Sequence, residues 1–139
     1  MDNRLMMLLK ALNEYGTKEL AGDANSERVL QYHKATDLMA SADSVAWCSA
    51  FVNWVAKECG IKGTNKANAR SWMTWGQEGE GLMGEVVVLW RGSPEAQTGH
   101  VGILVKKTSE GVWILGGNQG DMVNISWYPM NRVLGFRRA

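Results

Sequence analysis

The hydrophobic pattern changes period at Gly84, and that one switch restricts the chain to few architectures. Before it, apolar residues recur at helical spacing: Leu5, Leu8, Leu9 and Leu12 lie on one face, and Gly16 stops that helix. After it come β-branched runs. Val86-Val87-Val88-Leu89-Trp90 reads as a buried strand and Val101 to Val105 as a second, and Val112 to Leu115, Val123 to Trp127 and Val133 to Phe136 bring the total to about five. Helices first and strands afterwards is the order of an α+β domain, not of alternating βαβ units. A chain of 139 residues fits one domain with one core, spanning 1–139.

Asn25 or Ser26 can cap a second helix carrying Val29, Leu30, His33 and Asp37 to about Leu38. A third begins near Asp43 or Ser44 and ends at Gly60. It carries Cys48, Phe51, Val52, Val55 and Cys59 on one face, with the polar Asn53, Lys57 and Glu58 away from it. The segment from Gly60 to Gly84 holds Ser71-Trp72-Met73-Thr74-Trp75, with room for a short helix over Lys66 to Trp72. No repeat, low-complexity tract or linker interrupts the chain.

Composition excludes several classes. A net charge of +1 gives no electrostatic reason to expect nucleic acid. Cys48 and Cys59 fall in one helix, where eleven residues of rise hold them ~16 Å apart, so they do not pair with each other. Together with His33 and His100 they lack the short paired spacing of a zinc site, so no metal and no other cofactor is expected. Met1 to Lys10 is too short for a signal peptide, and no stretch approaches the ~20 apolar residues of a membrane span. The expectation is a monomer without stable membrane association, made in the host cytoplasm without a signal peptide.

A nucleophilic cysteine works as its thiolate, which the first turn of a helix favours through unpaired N–H groups and the dipole. Cys48 lies near such a start, provided the cap falls late in the range Asp43 to Trp47. Cys59 sits at the opposite end of the helix, where the dipole disfavours a thiolate, and reads as a small buried hydrophobe. His100 opens a strand in Thr98-Gly99-His100-Val101-Gly102-Ile103. If a loop at Thr108-Ser109-Glu110 closes on Gly111, residues 107 and 111 pair, Asn118 comes opposite His100, and Gly102 faces Gly116. That glycine pair leaves a side-chain-free patch where a helix end can approach. A one-residue slip would offer Gln119 to His100 instead, and a three-residue slip Asp121. An amide carbonyl accepting from one imidazole nitrogen fixes the tautomer and leaves the other nitrogen to take the thiol proton.

The segments Trp47-Cys48-Ser49-Ala50-Phe51-Val52-Asn53-Trp54, Gly99-His100-Val101-Gly102 and Gly116-Gly117-Asn118-Gln119 together resemble the CHAP and NlpC type of papain-like cell-wall hydrolases, especially the short single-domain forms of phages and prophages. The likeness extends through Tyr15-Gly16-Thr17-Lys18-Glu19, the Asn25 to Tyr32 region, Ala69-Arg70-Ser71-Trp72 and Val133-Leu134-Gly135-Phe136-Arg137-Arg138. It implies a papain-like α+β fold with the Cys helix packed on an antiparallel sheet that bears the His. It further implies a cysteine peptidase or amidase whose partner is bacterial peptidoglycan, cutting a stem or cross-bridge peptide bond or the amide joining muramic acid to L-alanine.

The catalytic set implied is Cys48, His100 and Asn118. Two departures stand out: Gly116 and Gly117 occupy positions near which many such domains carry a Glu, and Gly84-Glu85-Val86 replaces the usual Gly-Asp before the valines. The Cys48 backbone N–H is the first oxyanion donor, with Ser44 the nearest polar candidate for a second. Trp47, Trp72, Trp75 and Gln119 are the residues expected to contact substrate, with a core role the alternative for each tryptophan. Release through a holin or a secretion system would carry the chain to the cell wall in the periplasm. Rival readings are a type VI-like antibacterial effector with the same chemistry and a catalytically silent wall-binding module.

Overall fold

The computed structural model describes residues 2–20, 26–37 and 46–139. Among them, three α-helices, Asn3–Leu12 (α1), Glu27–His33 (α2) and Cys48–Glu58 (α3), precede strands Gln77–Glu78 (β1), Val86–Trp90 (β2), Gly99–Lys107 (β3), Gly111–Gly116 (β4), Asn124–Pro129 (β5) and Val133–Arg138 (β6). The strands form one antiparallel sheet in the order β1-β6-β2-β3-β4-β5. This is the papain-like α+β arrangement, with the Cys48 helix packed on the sheet. The sixth strand is β1, two residues paired with Arg137 and Arg138 at the sheet edge. It is too short to leave a period in the sequence.

Asp2 caps α1 by accepting from Arg4 N–H at 2.8 Å. The buried side of α1 is Met7, Leu8 and Ala11, whereas Leu5, Leu9 and Leu12 are exposed, so the expected leucine face is rotated. Periodicity weights the larger residues, but the side pressed on α3 and the sheet favours small and flexible ones that permit close approach. Of the two expected caps for α2, Ser26 serves: its hydroxyl accepts from Val29 N–H. The helix ends at His33 rather than near Leu38, because the Thr36 hydroxyl takes the His33 carbonyl. Leu38, and the expected start of α3 at Asp43 or Ser44, lie outside the described residues.

Trp47 is the N-cap residue of α3, which puts Cys48 in the first turn. Every residue from Cys48 to Ala56 is buried, so α3 is a central helix; Lys57 and Glu58 are exposed as expected, whereas Asn53 is buried against the expectation. The short helix after it is a 3-10 turn over Ala69–Thr74.

The β3–β4 hairpin closes one residue differently from the expectation. Lys107 pairs with Val112, and the turn is held by Thr108 N–H to Gly111 O at 2.8 Å. A bulge between Leu104 and Lys106 absorbs that residue, so Ile103 faces Leu115 as the expected register requires. Both faces of the sheet are buried. Val86, Val88, Val101, Ile103 and Leu115 meet the helices, while Val87, Leu89, Leu104, Val112 and Ile114 form a second cluster with Tyr128, Val133 and Phe136. The second cluster is made of sheet residues and Met130, with His100 paired to Leu89 on the same face.

Candidate active site

Two elements meet where the chemistry is expected. Cys48 opens α3 and His100 is the second residue of β3. Cys48 is 6% exposed and borders an open cleft of about 210 Å³ between the Ala67–Ala69 segment and the 91–99 loop. Trp47 makes no side-chain cap bond to α3. Burial raises the Cys48 thiol above its usual range. The N–H groups of Val101, Ser49 and Cys48 itself, and the charge of Arg91, pull the other way without prevailing.

The His100 ring is buried, and its Nε2 lies 2.9 Å from Gln119 Oε1. The surroundings of Gln119 settle which nitrogen holds the proton. Its Nε2 donates to Ile114 O at 3.2 Å, Asn124 O at 2.8 Å and Asn124 Oδ1 at 2.9 Å, all acceptors. Asn124 is itself oriented, since its Nδ2 donates to Gln119 O at 2.9 Å and its Oδ1 accepts from the Ser126 hydroxyl at 2.8 Å. The Gln119 amide therefore cannot flip, and its Oε1 accepts both from His100 Nε2 and from the Tyr128 hydroxyl at 3.1 Å. His100 Nε2 carries the hydrogen, and Nδ1 is a bare lone pair, buried and without a hydrogen-bond partner among the described residues.

Burial holds the His100 pKa down to about 4, opposed by the Gln119 hydrogen bond and assisted by the charges of Arg91 and Arg132. With the thiol raised and the imidazole lowered, both groups are uncharged at neutral pH, and no hydrogen bond joins the Cys48 sulfur to His100 Nδ1.

Asn118 is not the residue on His100. The β4 strand ends at Gly116, and Asn118, Gly120 and Asp121 adopt left-handed φ of 60°, 61° and 64°, curling the chain off the sheet. That curl points Gln119 inward and leaves Asn118 half-buried with no side-chain hydrogen bond among the described residues. Asp121 is exposed, and its carbonyl accepts from Glu19 N–H.

The expected aromatic platform is absent from the cleft. Trp47 is fully buried, stacked on Tyr32 with its Nε1 donating to Glu19 at 2.9 Å. Trp72 is fully buried with its Nε1 on the Ser49 hydroxyl at 2.9 Å. Neither presents a face to a ligand. Trp75 packs edge-on against Trp72, bonds Lys62 O, and borders a separate hollow beside Met7 and Arg137. Gln119 is 4% exposed and turned to His100, so it is not a substrate contact either.

Sequence reasoning missed Asn124, Ser126 and Tyr128, whose polar groups alternate along β5 and converge on Gln119; that period of two was the available signal. It also missed Arg91, which no local pattern marks. Ser44 and Asp43 lie outside the described residues.

A helix-start thiol and a strand-borne imidazole on an α+β scaffold define the class of papain-like cysteine hydrolases. Within it, the chain belongs to the CHAP domain family, whose model matches residues 40–118. That match spans Cys48 and His100 and stops one residue before Gln119. CHAP membership places the chain among peptidoglycan hydrolases, as a peptidase or amidase. No curated protein matches the chain. No helix among the described residues is long and apolar enough to cross a membrane.

Proposed function

We propose that this domain cleaves an amide bond of peptidoglycan peptide with Cys48 as nucleophile, His100 as general base and Gln119 as the residue that orients the base. The observation that carries the reading is the bare, buried Nδ1 of His100 on the strand whose next residue, Val101, presents a backbone N–H that favours the Cys48 thiolate. As Cys48 attacks the carbonyl carbon, its proton passes to Nδ1. The tetrahedral oxyanion is met by the Cys48 N–H at the start of α3. The C–N bond then breaks, the amine leaves with the proton from Nδ1, and a thioester remains. Water enters, gives a proton to Nδ1 and attacks the thioester, and that proton returns to the departing sulfur.

The neutral resting pair suits this sequence, because the proton moves only when a substrate carbonyl is in place. The biological role that goes with it is bacteriolysis by a phage endolysin: synthesis in the cytoplasm, then access to the wall through a holin. Digestion of purified sacculi with mass analysis of the fragments tests the reading. New amino termini on stem peptides identify an endopeptidase, and free lactyl-muramic ends an amidase. Cys48→Ala should abolish release while Cys59→Ala keeps most of it. Folded wild-type protein that releases nothing, or equal loss in both variants, overturns the proposal.

A further inference from the structure

Three arginines surround the site, and two are engaged. Arg70 donates to the carbonyls of Thr98, Pro94 and Ser93 at 2.8, 2.9 and 3.1 Å, holding the 91–99 loop from below. Arg132 donates to Trp90 O at 3.1 Å and lies over the Trp90 and Tyr128 rings. Arg91 differs. Its backbone is pinned, since the Thr98 hydroxyl donates to its carbonyl at 2.7 Å, but its guanidinium is exposed and makes no hydrogen bond or ion pair among the described residues. Among the described residues it is the only charged one bordering the Cys48 cleft, and no carboxylate among them borders it.

A fixed backbone carrying an unsatisfied planar fork of donors, in a cleft that ends at a nucleophile, suits a carboxylate. Resting on the proposed function, we infer that Arg91 is the recognition group for a free carboxylate on the peptide next to the scissile amide. The substrate class is then stem peptide whose side or terminal carboxyl groups are not amidated.

The same contact bears on the base. Arg91 stands where its positive charge disfavours protonation of His100. A carboxylate seated on Arg91 cancels that field at His100 and also the pull of the same charge on the Cys48 thiol, so the contact acts on binding rather than on the proton transfer. An amidated substrate would leave the field in place.

The experiment uses the whole chain as wild type, Arg91→Gln and Arg91→Lys, with matched thermal unfolding as the folding control. Alkylation of Cys48 is timed with iodoacetate, an anion, and iodoacetamide, its neutral analogue. Hydrolysis is timed on paired synthetic muropeptides differing only as carboxylate or carboxamide. The expected result is that Arg91→Gln lowers the iodoacetate-to-iodoacetamide rate ratio about tenfold, the effect of one charge-assisted contact at a partly exposed site, and that Arg91→Lys recovers part of it. Wild type should favour the carboxylate muropeptide by a similar factor, chiefly through KM, and Arg91→Gln should bring the preference to about one.

An unchanged alkylation ratio overturns the inference. So does equal loss in Arg91→Gln on both muropeptides, which would make Arg91 a general electrostatic or oxyanion group. If neither muropeptide is cleaved while the alkylation ratio falls as expected, the hydrolase reading fails and the carboxylate site stands.

Discussion

Gln119 shows how a residue's role is set by its neighbours' backbone. The dipeptide Asn118-Gln119 offers two amides, and only the left-handed φ at Asn118 decides that the second one points inward. Asn tolerates that conformation but does not require it, so the sequence leaves Asn118, Gln119 and Asp121 all open while Cys48 and His100 stand out through their flanking motifs. Gln119→Ala strips the acceptor from a buried imidazole N–H and frees the ring to turn. The expectation is a fall in kcat of roughly ten- to a hundredfold with little change in KM. Asn118→Gly, which keeps the left-handed backbone without strain, should retain near-full activity. Steady-state kinetics on one muropeptide separates the two; the opposite ranking would restore Asn118 as the orienting residue.

The same buried ring couples folding to pH. His100 titrates near 4 in the folded chain against an ordinary 6.5, so between those values the unfolded chain binds more protons. The stabilisation is fully present above about pH 6.5 and is lost as pH falls towards 4, amounting to about 3 kcal/mol. Carboxylates also titrate in this window, so the test is a difference. Urea midpoints of wild type and His100→Gln, taken at pH 7.5, 5.5 and 4.5, should converge as pH falls. Parallel curves would mean that the ring titrates alike in the folded and unfolded chain, without the shift that burial imposes.

Among the elements, α3 does most to assemble the site, and its hidden polar groups are the reason. Ser49 donates to Lys66 O at 2.6 Å and accepts from Trp72 Nε1, while Asn53 Nδ2 reaches Ser49 O, Thr64 Oγ1 and Lys66 O and its Oδ1 accepts from Asn65 N–H at 2.9 Å. These bonds tie the helix that carries Cys48 to the segment forming the far wall of the cleft. The third helix was legible from its apolar spacing, but Asn53 reads as a solvent residue there, because nothing local announces that a loop eleven residues on will satisfy it. The roles of Trp47 and Trp72 were illegible for a related cause. An indole buries well or stacks well, and only tertiary partners such as Glu19 and Ser49 decide which. Ser49→Ala orphans the Trp72 N–H in the interior and leaves the Lys66 carbonyl only its bond from Asn53, and should cost about 1–3 kcal/mol in urea unfolding. Ser49→Thr keeps the hydroxyl and should cost less. Two equal losses would trace the effect to packing alone.

At the scale of the molecule, the family match ends at residue 118 but the fold does not. The last strand, β6, does not sit at the sheet edge beside β5, its neighbour in sequence. It inserts between β1 and β2, pairing Arg137 with both Glu78 and Val86 and Phe136 with Val87. The strands themselves were readable from their β-branched runs. Their spatial order was not, since a period-two pattern records which face is buried and nothing about which edge a strand seeks.

The consequence concerns truncation. Removing residues 133–139 would strip β2 of one partner, expose the inner cluster where Val133 and Phe136 pack, and leave β1 without its only neighbour in the sheet. It would also free Trp75 O and Gly76 O, which accept from Arg137 at 2.8 and 3.1 Å. The lost apolar burial of the partly buried Val133 and Phe136 is about 1–3 kcal/mol, and the loss of the whole β2–β6 ladder adds to it, against a total stability of about 5–15 kcal/mol for domains of this kind. The shortened chain, ending at Arg132, should therefore show no cooperative unfolding transition and little dispersion in its amide proton spectrum, although it retains Cys48, His100 and Gln119. Phe136→Ala in the full-length chain is the milder probe, expected to fold with a lowered midpoint. A truncated protein that unfolds cooperatively and still alkylates at Cys48 like wild type would show that β2, β3 and β4 hold the site without β6.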